Sequence, residues 1–159
     1  MLTEENNKID AKAFLLRVEK LDKLIANKMT EIEQWKLLAQ STTARLAEDK
    51  VLASGSQSKM ADAVIKYVDL EKEIDSLIDE LIDEKREVIA VIEQLDPVEY
   101  DLLHKKYIQY EHYKDFYDIA AAFKQTYSWA TTTHGRALQQ VRRILEERRA
   151  EKLKACDVV

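Results

Sequence analysis

Five side chains that can hydrogen-bond to bases or phosphates of DNA lie close together in the chain: Tyr127, Ser128, Thr131, Thr132 and Arg136. Small and apolar residues recur three and four positions apart through the same stretch, which is typical of a helix with one packed face. These residues are Ala130, Thr133, Ala137, Leu138, Val141, Ile144 and Leu145. The packed face leaves the five polar candidates on the opposite side, where we expect them to be exposed.

The chemistry of DNA recognition assigns different roles to the candidates. Arg136 can contact a phosphate or donate two hydrogen bonds to a guanine, and Thr131 and Thr132 can hydrogen-bond to base edges or present methyl groups to thymine. Three further basic residues are better placed as phosphate contacts, which position a protein without reading sequence: Lys124, Arg142 and Arg143. The same residues can equally be solvated positions on a long helix, and only their structural context favours DNA contact.

That context is a short helix, a break and a longer helix. Ile119 to Phe123 is an apolar helix seed, Lys124 to Thr126 interrupts it, and a second helical pattern starts at Tyr127. Two helices joined by a turn of three or four residues form a helix-turn-helix, whose second helix enters the major groove. We expect Thr126 to be the N-cap of that second helix. Trp129 either contacts the sugar-phosphate backbone or packs onto the 116–123 helix.

Other chemistry finds little support in the sequence. His104, His112 and His134 have no metal-ligand spacing with each other or with Cys156. The carboxylates lie on exposed faces of long helices, and there is no phosphate-binding glycine loop or Ser-His-Asp arrangement. We therefore expect no metal, no cofactor and no enzymatic activity.

Composition indicates a nearly all-helical chain, since only two of its 159 residues are glycine and one is proline. Residues 1–96 hold 14 Lys and Arg against 21 Asp and Glu, whereas residues 116–154 hold 8 against 4. The positive charge therefore coincides with the expected helix-turn-helix. A single cysteine, no membrane-spanning run and no signal peptide suggest a soluble cytoplasmic protein.

The first 95 residues predict a long antiparallel coiled-coil hairpin. Helices are expected over about 8–47 and 58–95, joined by a turn at about 48–57 whose least helical part is 54–56. The first seam comprises Phe14, Val18, Leu21, Ile25, Ile32, Trp35, Ala39 and Leu46. The second comprises Met60, Ala63, Tyr67, Leu70, Ile74, Leu77, Leu81, Val88, Val91 and Leu95, interrupted at Glu84.

The return helix also carries an adjacent apolar stripe: Val64, Val68, Ile78, Ile82, Ile89 and Ile92. One seam is enough to pair the two arms, so the stripe needs another surface. A second copy of the chain or the C-terminal domain can supply it. We favour a homo-oligomer formed through the hairpin.

A domain boundary is expected at Asp96-Pro97. Proline suits the first position of a new helix, and Asp96 with Glu99 has the spacing of a capping box. Three helices then follow over 97–109, 116–123 and 127–150. The predicted architecture is all-α, with an interaction or oligomerisation hairpin over 1–95 and a small three-helix domain with a helix-turn-helix over 96–155.

Several stretches resemble known proteins. EYDLLHKKYIQ, DIAAAF and GRALQQV are similar in order to the promoter-reading C-terminal region of bacterial sigma factors. GSQSKMADAVIKYVDLE, VIEQLDPVEYDLLHKKYIQ and HGRALQQV extend the resemblance over the whole chain, to a phage family of RinA/ArpU-like regulators of late transcription. The resemblance implies a phage or prophage transcription factor, an activator of late genes that binds double-stranded DNA and can contact host RNA polymerase.

By position, the five polar candidates match the groove-facing residues of the sigma-like recognition helix, and Ala130, Thr133, Ala137 and Leu138 match its buried ones. Two departures stand out. Lys124 occupies a turn position commonly held by glycine, where a positive φ has a steric cost for lysine. Ala130 and Thr133 are smaller or more polar than the usual aliphatic residues.

Two other functions remain open from the sequence. A small terminase subunit would use a helix-turn-helix to mark viral DNA for packaging, and its hairpins would build a ring. A protein-interaction module would use the acidic hairpin to bind RNA polymerase or another regulator without touching DNA.

Overall fold

The protein is built from α-helices, as the sequence predicts. A computed structural model describes residues 8–48 and 53–157, with side chains outside 42–57, and no strand occurs among them. The helices are α1 (Ala11–Glu48), α2 (Ala53–Ile92), α3 (Pro97–Leu103), α4 (Phe116–Ala122) and α5 (Tyr127–Cys156). α2 starts at Ala53, before the expected start at residue 58, so placing 54–56 in the hairpin turn was wrong.

α1 and α2 form a helical hairpin along the expected seams. Seam positions buried on α1 are Phe14, Val18, Ile25, Ile32 and Ala39, and those buried on α2 are Ala63, Leu70, Ile74, Leu81, Val88 and Val91. Ion pairs join the arms, with Lys28 Nζ 2.5 Å from Glu73 Oε2 and Lys36 Nζ 2.8 Å from Glu71 Oε1. The seam predictions are confirmed at these positions, and the expectation at Leu46 lies outside the described side chains.

The interruption of the seam at Glu84 is accommodated by a charge on the other arm. Arg17 Nη1 lies 3.6 Å from Glu84 Oε2, too far for a hydrogen bond, and this buried oxygen has no hydrogen-bond partner among the described residues. A half-buried carboxylate held only by a long ion pair adds little to stability.

The described residues group into two compact units. One is Lys20–Ile82, and the other combines the described parts of Met1–Glu19 with those of Asp83–Val159. The second unit therefore contains the base of the hairpin as well as the three later helices, a wider grouping than the 96–155 domain expected from the sequence. Leu15 and Val18 of α1 are fully buried in it, as are Val91 and Ile92 of α2.

At the start of α3 the proline lies where the sequence predicts, but the predicted cap is missing. Pro97 occupies the first turn and Asp96 the N-cap position, but the Asp96 side chain makes no capping hydrogen bond. The capping box predicted at Asp96 and Glu99 was therefore wrong. Asp96 has φ −58° and ψ 149°, so its backbone is extended, and the fixed φ of Pro97 suits the first turn of the helix.

α3 continues into a π-helical turn over His104–Ile108, where Gln109 N donates to His104 O at 2.9 Å. The wider turn brings Tyr107 into the core, with only 2% of its surface exposed. α3 and α4 both pack against α5, which is the scaffold for the candidate site.

Candidate nucleic-acid interface

The turn between α4 and α5 has a defined hydrogen-bond pattern. Gln125 N donates to Ala120 O at 2.9 Å, and Lys124 N donates to Ala121 O at 3.1 Å. This pair of bonds is the Schellman motif, which satisfies the last carbonyls of a helix when the residue after the cap is left-handed. Lys124 has φ 54° and is the one described non-glycine residue with positive φ. The chain thus places lysine where glycine is preferred, at a steric cost.

Side-chain caps fix the first turn of each helix. Thr126 Oγ1 accepts from Trp129 N at 3.1 Å at the start of α5, which confirms the predicted N-cap. At the start of α4, Asp115 Oδ1 accepts from Asp118 N at 3.0 Å, while Asp118 Oδ2 accepts from Lys114 N at 3.0 Å. The pair at the start of α4 was not predicted from the sequence. Both caps limit the orientations available to the turn.

α5 has one buried face, as its spacing predicts. The buried residues are Ala130, Thr133, Ala137, Val141 and Ile144, whereas Leu138 and Leu145 are only half-buried. The hydroxyl of Thr133 is buried without a hydrogen-bond partner among the described residues. Such a group costs free energy, so Thr133 is a weak point of the packing beneath the exposed face.

The candidate base-reading residues are not equally available. Ser128, Thr132 and Arg136 are exposed, with Ser128 and Thr132 opposite the buried face and Arg136 at its flank. Thr131 is half-buried, and its hydroxyl donates to Ser128 O at 3.1 Å. Tyr127 is 45% exposed, but its ring lies 4.5 Å from that of Tyr117 and 6.2 Å from that of Phe116, centre to centre. Tyr127 therefore has a packing role within the domain.

The candidate phosphate contacts also differ. Lys124 and Arg143 are exposed, and Arg143 Nε is 3.8 Å from Glu147 Oε1, a weak surface pair. Arg142 is half-buried and its Nε donates to Ile9 O at 3.2 Å. This bond ties the residues before α1 to α5. Lys124 and Arg143 are consequently freer to reach DNA than Arg142.

A cluster of aromatic and cationic side chains packs around the turn between α4 and α5. The ring centres of Phe123 and Trp129 are 5.1 Å apart, and Trp129 is half-buried, which favours the packing alternative for this tryptophan. Lys105 Nζ lies 5.6 Å from the Phe123 ring centre and 2.6 Å from Asp101 Oδ1. Lys106 Nζ lies 4.7 Å from the Phe116 ring centre. Lys106 adds positive charge near α4, whereas Asp101 offsets the charge of Lys105. Sequence periodicity gave no signal for either contact.

A polar contact joins α5 to the π-helical turn. The Tyr107 hydroxyl is 2.7 Å from His134 Nε2, and the two rings stack with centres 5.8 Å apart. Burial lowers the pKa of His134 to about 4, and the positive charges of Lys106 and Lys12 act in the same direction. Burial, with the carboxylates of Asp10 and Glu19, raises the pKa of Tyr107 to about 12. At neutral pH the contact therefore joins a protonated phenol and a neutral imidazole.

Two residues that were not predicted from the sequence belong to the exposed face of the candidate site. Gly135 and Gln139 are exposed, and with Ser128 and Thr132 they follow the helical spacing of three and four residues. A Cβ placed on Gly135 would meet nothing within 4 Å. Gln139 has the side chain that pairs with adenine in the major groove. Extending the 4-3 count along the polar side would have found both.

Neither a cluster of metal ligands nor a membrane-spanning helix occurs among the described residues. Among those residues, no three His, Cys, Asp or Glu side chains come together as metal ligands. The described helices also include none that is both long and apolar enough to span a membrane. Comparisons of this chain with protein-family models, curated proteins and solved structures gave no match.

Proposed function

We propose that this chain is a DNA-binding transcriptional regulator that reads the major groove with the first turns of α5. The observation that carries the proposal is the capped turn at 123–126 followed by a helix with opposite buried and exposed faces. Ser128, Thr132 and Arg136 lie on the exposed face, with Gln139 one turn further along. Their hydrogen-bonding groups suit base edges, and the first residues of a recognition helix are the ones that reach them.

Charge supports the same surface. The segment 116–154 has 8 Lys and Arg against 4 Asp and Glu in a chain whose net charge is −5. Lys124 at the turn and Arg143 farther along α5 are exposed near either end of the candidate face. Phosphate contacts on both sides of a base-reading surface fix its position on the duplex. The further assignment to phage or prophage late transcription, and any contact with host RNA polymerase, derives from the family resemblance.

Selection of DNA by the full-length chain tests the proposal. A random duplex pool would be enriched on the wild-type protein, and the affinity for the selected duplex would be measured by fluorescence anisotropy. Arg136→Ala should weaken binding by about 5- to 150-fold, the range expected for one lost bidentate contact. Arg86→Ala is the matched control, because it removes the same charge from an exposed side chain of α2.

The control should change the affinity by less than about twofold, because Arg86 lies outside the proposed interface. Thermal unfolding of both variants would establish that the fold is intact. Failure of the wild-type chain to enrich any sequence, or equal losses in Arg136→Ala and Arg86→Ala, would refute base reading by α5.

A further inference from the structure

One face of α2 carries apolar side chains that the described chain leaves uncovered. Within the unit Lys20–Ile82, Val68 is 36% exposed, Ile78 39% and Ile82 42%, and Val64 is half-buried. These four residues belong to the stripe that lies beside the hairpin seam. Their neighbours on the seam, such as Leu70 and Leu81, are buried at 9%. Pairing of the two arms therefore does not account for the stripe.

The middle of this stripe is acidic. Positions 64, 68, 71, 75, 78 and 82 follow one another at steps of four and three, so Glu71 and Asp75 lie on the same face as the apolar residues. The resulting order is two apolar, two acidic and two apolar residues. It extends over about 27 Å of helix and is the same from either end.

Charge around the stripe is strongly negative. Residues 69–83 include seven Asp and Glu and a single lysine. Lys36 pairs with Glu71 and Lys28 with Glu73 across the hairpin, and Asp75 and Asp79 are exposed. Exposed isoleucines are not typical of a purely solvated acidic surface, and aspartates are not typical of a purely apolar docking surface. The combination indicates a partner with both apolar and basic side chains.

A second copy of this chain matches the surface poorly. Two α2 helices packed through their stripes would bring two acidic segments together, and like charges placed opposite each other weaken association. Charge repulsion therefore disfavours a homo-oligomer, which the sequence predicts, through this face of α2. A helix with basic residues instead meets both requirements.

We propose that the stripe Val64–Val68–Glu71–Asp75–Ile78–Ile82 binds an amphipathic α-helix of another protein. That helix has two apolar clusters separated by basic residues, and it lies along α2 with its lysines or arginines facing Glu71 and Asp75. The mode is helix recognition by anchors at spacings of three, four and seven. It is independent of DNA binding by α5, so either proposal can fail alone.

Designed peptides and the full-length chain provide the test. The probe is a helical peptide of about 22 residues with leucines matching the four apolar positions and two central lysines, and its matched control has glutamates in place of the lysines. Isothermal titration calorimetry should show binding of the lysine peptide at least about tenfold tighter. Ile78→Ser with Ile82→Ser should weaken that binding by at least about tenfold. Leu37→Ser, at a 64% exposed position of α1, should not.

A charge exchange makes the test specific. Glu71→Lys with Asp75→Lys should reverse the preference toward the glutamate peptide. Asp62→Lys with Glu80→Lys changes the same charge at exposed positions of α2 outside the stripe and should keep the original preference. Binding of neither peptide, or equal binding of both, would overturn the proposal. It would also be overturned if sedimentation showed a wild-type oligomer that Ile78→Ser with Ile82→Ser dissociates.

Discussion

Replacing Lys124 with glycine should stabilise the protein. Lys124 has φ 54°, in the left-handed region, which costs an L-residue about 1–2 kcal/mol. Glycine removes that cost but adds about 0.5–1 kcal/mol of conformational entropy to the unfolded chain. The free energy of unfolding should therefore rise by about 0.5–1 kcal/mol. For a chain of 159 residues this corresponds to an increase in Tm of roughly 1–4 °C.

Two variants separate backbone strain from loss of the lysine side chain. Lys124→Ala removes the charge but keeps a Cβ at positive φ, so its stability should stay within about 0.5 kcal/mol of wild type. Gln125→Gly adds glycine at the next residue, which lacks a positive φ, and should destabilise by about 0.5–1 kcal/mol. Urea unfolding followed by circular dichroism measures all three variants. A Lys124→Gly protein no more stable than wild type would refute the strain argument.

The same variant has a second, opposite effect if Lys124 contacts a phosphate. Each lost phosphate contact reduces the slope of log affinity against log salt by about 0.9 and weakens binding. Lys124→Gly should therefore be more stable and bind DNA less tightly. Equal DNA affinity at low salt in the glycine variant and the wild type would remove Lys124 from the interface while leaving the strain argument intact.

Three further predictions concern α5 and its supports. Thr126→Ala should lower the free energy of unfolding by about 1 kcal/mol in urea titrations, because Trp129 N loses its capping acceptor; an unchanged value would contradict the capping role. Gly135→Ala should raise it by about 0.5–1 kcal/mol, because the added methyl meets open space and alanine favours helix; destabilisation would show that the site is more crowded than described. The pKa of His134 is about 4 in the folded chain and near 6.5 in the unfolded chain, so between these pH values the unfolded chain binds the extra proton. The free energy of unfolding should therefore fall as pH falls from 6.5 to 4, by about 1–2 kcal/mol after solvent screening. His134→Gln should lose that part of the pH dependence in urea titrations at about pH 7 and 4.5, and an unchanged dependence would contradict it.

The periodic parts of the fold were predictable from the sequence. A seven-residue repeat of apolar positions identified both arms, because burial between two helices requires that spacing whatever the rest of the chain does. Thr126 was recognisable as a cap because a hydroxyl just before a helical pattern can accept from a free amide of the first turn. The positive φ at Lys124 could be expected only from its position in the turn, since lysine itself does not favour such a φ.

Features that depend on tertiary contacts were not predictable in the same way. The contact between Tyr107, in the π-helical turn at 104–108, and His134 joins residues 27 positions apart. The bond from Arg142 to Ile9 spans 133 positions, and nothing in the local sequence distinguishes Arg142 from Arg143. The spacing of Asp96 and Glu99 predicted a capping box that the structure lacks, because a matching spacing does not ensure that the side chain turns toward the free amides.

DNA affinity of the full-length chain as a function of salt tests the central claim most directly. Wild type and Lys124→Gln with Arg143→Gln would be titrated against one generic duplex between about 50 and 200 mM salt, followed by anisotropy. The claim that these residues contact phosphates predicts salt-sensitive wild-type binding, with a log–log slope about 1.8 units shallower in the double variant. No binding by the wild type at low salt, or the same slope in both proteins, would contradict the assignment of DNA contact to the α4–α5 turn and α5.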